Sequence, residues 1–306
     1  MRYFFTMSNK PKYTYTVTSE NDGKRVAELL RSQFTFSHRF RTRMKFDKLV
    51  DLNGTPVPGH TVTHTGDVIS IRLPEEKSDF TPEDIPVDIL YEDEDLLLVN
   101  KQPGITVHPT KGHPCHTLAN GIQKYMEDSH QSFKIRFANR IDMDTTGIVI
   151  VAKNSNAQNG ISTQMRAHTV GKEYTALVCG VIPEDKDHFV IDLPVGRPEG
   201  DSIHRAVLPD GKPAVTEVCV LERFREYTLI RVVLHTGRTH QIRVHMAHIG
   251  YPLAGDPLYG GNTDVLNRQA LHSTRIVFKH PITGEQIDIS APLPEDMKEL
   301  IEKIRC

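Results

Sequence analysis

The sequence predicts an α+β protein: a mixed, mainly antiparallel sheet with a few helices, preceded by a small separate unit. Three observations carry this. Strand-length apolar runs come in pairs across short turns, as in Thr216-Glu217-Val218-Cys219-Val220-Leu221 and Tyr227-Thr228-Leu229-Ile230-Arg231-Val232-Val233-Leu234, the pattern of an antiparallel hairpin. Helical periodicities are interspersed without the regular alternation of a βαβ repeat. The charge also changes sign along the chain. Lys24, Arg25, Arg31, Arg39, Arg41, Arg43, Lys45 and Lys48 are opposed only by Glu28 and Asp47, whereas Glu75 to Asp95 is acidic apart from Lys77. A basic block followed by an acidic one points to two units with different partners.

The first unit spans residues 12–73. Tyr13-Thr14-Tyr15-Thr16-Val17 alternates like an edge strand. Val26, Leu29 and Leu30 recur at helical spacing between Lys24 and Gln33, and Ser37 is placed to cap a second, shorter basic helix. Val50-Asp51-Leu52 runs into Asn53-Gly54, the strongest short hairpin signal, and Gly66-Asp67 introduces an alternating strand to Ile71. Residues 74–88 are rich in Pro and acid and poor in apolar side chains, so they read as a linker.

The second unit spans residues 89–306. Ile89-Leu90-Tyr91 and Leu96-Leu97-Leu98-Val99-Asn100 flank an acidic turn, and Lys101-Gln102-Pro103-Gly104 breaks the second run. Thr117 starts a helix whose Leu118, Ile122, Tyr125 and Met126 share one face. A loop bearing Asp142 and Asp144 then feeds the β-branched run Ile148 to Val151. A helix is predicted over Asn154 to His168, with Ala157, Ile161 and Met165 stacked, and Lys172 to Val178 alternates into a strand. A Gly- and Pro-marked excursion, residues 193–212, precedes the hairpin. Thr239 can cap a last helix whose apolar face is Ile242, Met246 and Ile249; Gly250 stands at its C-terminal cap position and Pro252 stops it.

Hydrophobic content of 38% and charged content of 25% describe an ordinary soluble protein. No run reaches the roughly 18 apolar residues of a membrane helix. The start, Met1 to Met7, is too short for the core of a signal peptide, and Met7 is an equally good initiator. Cys115, Cys179, Cys219 and Cys306 form no Cys-x-x-Cys pair, which argues against disulfides and structural zinc and fits a reducing cytoplasm. Nothing suggests an obligate interface, so a monomer is expected.

Chemistry concentrates in two stretches. Asn139-Arg140-Ile141-Asp142-Met143-Asp144 is a charged loop set on a rigid strand, a common place to display a reactive group. His235-Thr236-Gly237-Arg238-Thr239-His240-Gln241-Ile242-Arg243-Val244-His245-Met246 puts Arg243 beside a buried helix face, where an unpaired guanidinium would cost several kcal/mol. Asp142 is the favoured partner. Residue types alone leave open whether this is a catalytic pair or a structural salt bridge. A calcium loop is disfavoured because Lys153 stands where the bidentate Glu should be. Zinc is disfavoured because His240 and His245 are five apart and His245 and His248 lack the accompanying Glu. A glycosidase pair is disfavoured because carboxylates one residue apart on a loop do not flank a sugar.

The motifs NRIDMDTTGIVIVAK, KEYTALVCG and LHTGRTHQIRVHMAHIGYPLAGDPLYG, in that order, resemble those of the RluA/RluD family of RNA pseudouridine synthases. The resemblance covers the chain from about Ile89 onward. The helix pattern of the first unit, with VDLNG and GDVISI, resembles the alpha-L RNA-binding fold of a small-subunit ribosomal protein. The resemblance implies a pseudouridine synthase catalytic domain and a cytoplasmic isomerase that needs no cofactor and no metal. Its substrate would be RNA, ribosomal most readily and transfer RNA as the other candidate, not DNA or a membrane.

Position by position, it makes Asp142 the catalytic carboxylate and Arg243 its partner. Tyr174 becomes the aromatic on the bound uracil and Lys172 its companion, while Arg140 helps displace the target base. Arg238, His240 and His245 are expected to hold RNA, phosphates especially. Departures from the common motif are Asn139 for His, Ile141 for Leu and Thr146 for Ser; none removes a reacting group. The alternative from another class is a non-catalytic RNA-binding or ribosome-assembly factor that retains the fold.

Overall fold

The structure, a computed structural model, describes residues 12–34, 36, 40–42, 44, 48–73 and 76–305. The choice between Met1 and Met7 and the cap at Ser37 fall outside these residues.

In the first unit the alternating segments become β1 (Tyr13–Thr16), β2 (Val50–Leu52), β3 (Thr55–Pro56) and β4 (Val68–Ile71), in the order β1-β4-β2-β3. β1 is an edge strand, as its alternation predicts. Asn53 and Gly54 take φ of 52° and 82°, the paired positive values of a two-residue hairpin turn. Helix α1 (Val26–Ser32) begins with the Glu28 carboxylate accepting the Arg25 N–H at 3.0 Å. Its Val26, Leu29 and Leu30 pack with Phe36, Phe40, Met44, Ile69 and Ile71 in one apolar cluster; residues 40–42 and 44 are also helical.

The stretch read as a linker has no regular element from 76 to 87, yet it lies against the second unit. Ile85 is buried among Leu97, Val99 and Ile122. Asn120 Nδ2 donates to the Thr81 carbonyl at 2.8 Å and the Ile135 N–H to Ser78 Oγ at 2.8 Å. Sparse apolar residues, Phe80, Ile85 and Val87, are enough to seat it because they reach an existing core. The two units also touch directly. Lys12 pairs with Glu94 and Asp95 at 3.0 and 3.5 Å, the Tyr13 hydroxyl donates to Asp95 at 3.4 Å, and Ile282 packs on the first unit's cluster.

The second unit is built on one large sheet. Its strands are β5 (Asp88–Glu92), β6 (Leu96–Lys101), β7 (Arg136–Phe137), β8 (Thr146–Ala152), β9 (Gly171–Cys179), β10 (His188–Asp192), β13 (Val215–Arg223), β14 (Tyr227–Leu234), β15 (Leu271–Lys279) and β16 (Gln286–Ser290). The main order is β10-β13-β14-β9-β15-β8-β6-β5, with β16 on β15 and β7 on β8. Only β15 and β8 run parallel; the other pairings are antiparallel. The fold is therefore α+β with a mixed, mainly antiparallel sheet. The excursion at 193–212 contains its own small hairpin, β11 (Val195–Gly196) with β12 (Ala206–Val207).

Strand β8 is buried at every position, as a continuous apolar run demands. Helices α2 (Leu118–Asp128) and α3 (Ser155–Arg166) lay their apolar stripes on the sheet. Asn154 caps α3 by accepting the Asn156 and Ala157 N–H groups at 3.0 and 2.9 Å. Helix α5 (Glu295–Arg305) buries Met297, Leu300 and Ile301.

Helix α4 (Gln241–His248) departs from expectation twice. Its N-terminal flank is His240 in the left-handed region, φ 57°, and not a capping Thr239. Gln241 ties the loop instead, its Oε1 accepting from Arg238 N–H at 3.0 Å and from Thr236 Oγ1 at 2.8 Å. The helix also buries every residue from Gln241 to Met246, so Ile242, Met246 and Ile249 are not a single buried stripe. At its end Gly250, φ 89°, donates to the Ala247 carbonyl at 3.0 Å and Tyr251 to the Met246 carbonyl at 2.9 Å, a Schellman closure.

Candidate active site

The loop ahead of β8 is held from three sides. Asn139 acts as a side-chain extension of the sheet: its Oδ1 accepts the Ile150 N–H at 2.7 Å and its Nδ2 donates to the Ile148 carbonyl at 3.1 Å. The Thr145 N–H closes a turn on the Asp142 carbonyl at 3.2 Å. Two buried cations grip the carbonyls between them. Lys101, fully buried, donates to Met143 O at 2.7 Å, Gln102 O at 2.8 Å and Ile105 O at 3.0 Å. Arg268 donates Nη1 to Asp144 O at 3.1 Å while its Nε and Nη2 fork onto Asp296 at 2.7 and 2.8 Å. Burial pushes Lys101 down to about 7, against the pull of Asp144 and Asp142.

The turn thus presents the Asp142 carboxylate to Arg243, whose Nη1 donates to Oδ2 at 3.1 Å. The expected pairing is present, but Arg243 is shared. Its Nε and Nη2 make a bidentate pair with Asp256 at 2.7 and 2.8 Å, and Asp256 is wholly buried. Asp256 Oδ1 also accepts the Leu258 and Tyr259 N–H groups at 3.0 and 3.3 Å. The guanidinium lies 5.0 Å from the Tyr259 ring centroid, within cation–π range. Burial works against its charge, but Asp256 and then Asp142 outweigh that, and its pKa is raised. Asp256 locks the arginine, and the arginine orients Asp142.

Tyr259 extends the network. Its hydroxyl accepts the Arg205 N–H at 2.9 Å and lies 2.8 Å from His240 Nδ1. The other ring nitrogen, Nε2, faces Asp142 Oδ2 at 3.9 Å. Burial, more than the opposing pull of Asp142, holds His240 below its ordinary pKa.

These groups open onto a cleft of about 980 Å³ lined by Arg140, Asp142, Lys172, Tyr174, Arg238, His240 and Arg243, together with His108, His168, Arg197 and Arg205. Tyr174 sits on β9 opposite Ser273 of β15 and is buried. Burial pushes its hydroxyl up to about 12, with a Ser273 hydrogen bond opposing, so it stays protonated near neutrality. Burial holds Lys172 below the usual lysine range. Arg140 is exposed and makes no hydrogen bond or ion pair to the described residues. Arg238 donates Nε to Pro213 O at 2.9 Å. Asp144 does not line the cleft; its carbonyl is the Arg268 acceptor.

One expected site residue is misplaced. His245 is fully buried, with Nδ1 at 2.8 Å from Thr216 Oγ1 and Nε2 at 2.9 Å from Leu193 O. It has no exposed atom to meet a phosphate. It belongs to the core because α4 is buried at every position from Gln241 to Met246. Conversely, Lys101, Gln241, Asp256, Tyr259 and Arg268 build the site without having been singled out by sequence. Asp256 and Tyr259 lie inside the quoted GDPLYG motif, and Lys101 ends a strand at a break. No local pattern separates any of them from an ordinary surface charge or loop polar residue.

The model of the RNA pseudouridylate synthase family matches residues 95–248, which includes the Asp142 loop, Tyr174 and Arg243. A Bacillus subtilis protein described as an uncharacterized RNA pseudouridine synthase is 43% identical over 298 residues, 95% of this chain and 97% of its own. The Escherichia coli ribosomal large subunit pseudouridine synthase D is 37% identical over 318 aligned positions, 98% and 96% of the two chains. Among solved structures, human RNA pseudouridylate synthase domain containing 1 superposes with a TM-score of 0.57 at 25% identity, over 72% of this chain and 95% of that one. The chain, which carries the family's motifs on this sheet and cleft, belongs to the RNA pseudouridine synthases of the RluA/RluD type and is an isomerase.

Proposed function

We propose that this enzyme converts uridine to pseudouridine in large-subunit ribosomal RNA with Asp142 as the catalytic carboxylate. The observation that carries the residue assignment is a carboxylate at the cleft floor, oriented by an arginine that a second, buried carboxylate immobilises. The ribosomal target rests on the printed description of the Escherichia coli relative. The first unit is proposed as an RNA-gripping module, since exposed Arg25, Arg31 and Lys48 stand on or beside its helices.

The reaction breaks the N1–C1′ bond of uridine, turns the uracil and joins C5 to C1′; the C5 proton is lost and N1 ends protonated. Nothing is oxidised or carried, so no cofactor is needed. A carboxylate serves either as nucleophile at C1′ or as base at the ribose, and both roles require the fixed orientation that Arg243 supplies. Tyr174 offers a flat ring to hold the freed uracil while the sugar reacts. Arg140, exposed at the cleft edge without a partner among the described residues, is suited to fill the gap left by a flipped base, a step costing a few kcal/mol.

Asp142→Asn is expected to lower tritium release from 5-tritiated uridine in RNA by on the order of 10⁴-fold while RNA binding is kept. Retained turnover sinks the assignment of Asp142. Mapping pseudouridines in ribosomal and transfer RNA with and without the gene tests the target. No change in large-subunit RNA overturns it, and an intact map with no release by the pure protein favours a non-catalytic factor.

A further inference from the structure

A second cluster of metal-binding side-chain types lies outside the cleft, on the exposed face of the sheet's far edge. Edge strand β10 places His188 directly opposite Cys219 of β13, and Glu217 lies two residues before Cys219 on the same face. Donor atoms of these three all lie within 4.8 Å of one another. His188 Nε2 is 2.9 Å from Glu217 Oε1. His235, just past the end of β14, puts its Nε2 at 2.8 Å from the other oxygen, Oε2. One carboxylate is therefore gripped by two imidazoles, with a thiol beside it.

The fold holds one other such trio among the described residues, Asp93, Asp95 and His280, and the contrast is informative. There most of the donor atoms are already used, and His280 Nε2 faces Asp93 Oδ2 at 3.0 Å. Asp93 accepts two backbone N–H groups and the Tyr91 hydroxyl, Asp95 accepts from Asn154 and Tyr13, and His280 Nδ1 accepts from Ile282 and Thr283. At the edge site the Cys219 sulfur meets only Arg231 Nη2, at 3.6 Å. That guanidinium has an anion, Glu173, at 3.9 Å to turn to.

We propose that His188, Glu217 and Cys219 form a binding site for a divalent transition metal of the zinc class, with His235 holding the Glu217 carboxylate in place and water as the fourth ligand. Nitrogen, oxygen and sulfur donors together suit zinc and cobalt and exclude magnesium and calcium, which take oxygen alone. Binding releases the Cys219 thiol proton to solvent, and a tautomer shift turns His188 Nε2 from donor to acceptor. The strands fix three ligands by register, so little ordering is required. The metal would staple the short edge strand β10 to its neighbour. The site shares no side chain with the cleft, so the proposal does not rest on the catalytic reading.

The test is cobalt(II) alone added to the metal-free full-length chain. One equivalent should give a near-ultraviolet sulfur-to-cobalt charge-transfer band. That band should vanish in Cys219→Ser, persist in Cys115→Ser, and require more than about tenfold more metal in His188→Ala or His235→Gln. Zinc should displace the cobalt and raise the melting temperature of the unsubstituted chain but not of Cys219→Ser. No band with the unsubstituted chain, or a band that survives Cys219→Ser, overturns the site. Each variant should keep isomerase activity, which shows that it is folded.

Discussion

Arg243 makes three hydrogen bonds to two carboxylates, and the division sets what each can do. Asp256 takes the bidentate pair and has no solvent exposure, whereas Asp142 takes a single bond and faces the cleft. Asp256→Ala leaves the guanidinium buried with half its partners gone. It should destabilise the fold by about 3–5 kcal/mol in chemical denaturation and lower kcat more than it raises KM. An unchanged melting profile would show that Asp256 does not hold the arginine. Lys101 carries a different signature. Its folded pKa is depressed from 10.5 to about 7. Below about 7 both folded and unfolded chains are protonated and the burial penalty is fully present. Between about 7 and 10.5 the folded chain loses its proton first, so stability rises with pH. Lys101→Met removes that slope. Relative to the variant, the native chain should gain up to several kcal/mol in urea denaturation on going from pH about 7 to about 10. A pH-independent difference would contradict the burial argument.

Strand β8 and the turn before it form the element on which the site depends. Gly147 has φ of 105°, and a Cβ there would stand 2.3 Å from the Ser273 carbonyl of the parallel neighbour β15. Gly147→Ala must therefore push β8 and β15 apart next to Asp142. A loss of more than about 2 kcal/mol, with a fall in tritium release beyond that of the unfolded fraction, is expected. Helix α3 offers a milder control. Asn154→Ala removes its cap and should cost about 1 kcal/mol, or somewhat more because Asn154 also donates to Asp95 at 2.7 Å, with activity intact once folded. Both elements were legible in the sequence because their signals are local. Ile148 to Val151 is a continuous β-branched run, and Ala157, Ile161 and Met165 repeat every four residues. The start of α4 was not legible. A left-handed His240 held by Tyr259 and followed by Gln241 bonding back to Arg238 depends on partners remote in sequence, and Thr239 offered a locally better cap.

For the whole molecule, the first unit and the catalytic sheet meet through Lys12, Tyr13, Glu94 and Asp95, with Ile282 inserted in the first unit's core. The acidic strap of residues 76–87 runs across the second unit. If the first unit grips RNA phosphates, replacing Arg25, Arg31 and Lys48 by Gln should lower the slope of log affinity against log salt by roughly 0.7–0.9 per lost contact. The single-turnover rate on bound RNA should hold. An unchanged slope would place the RNA contacts elsewhere. Among the described residues no helix is long and apolar enough to cross a membrane.

Asp142 stood out in the sequence as a carboxylate on a loop feeding a strand, with Arg243 as its favoured partner, 101 residues on. Periodicity alone set β1, β6, β8, β9, the β13–β14 hairpin, most helices and the α+β class, because hydrophobic pattern is a property of neighbours in the chain, whereas β10, β15, β16 and α5 were recognised only in the structure. What Arg243 is bound to, why His245 is core rather than surface, and why Lys101 tolerates burial were decided by the tertiary structure. Each depends on groups brought together across the sheet. The energy that fixes a buried charge comes from those partners, and no stretch of sequence contains them.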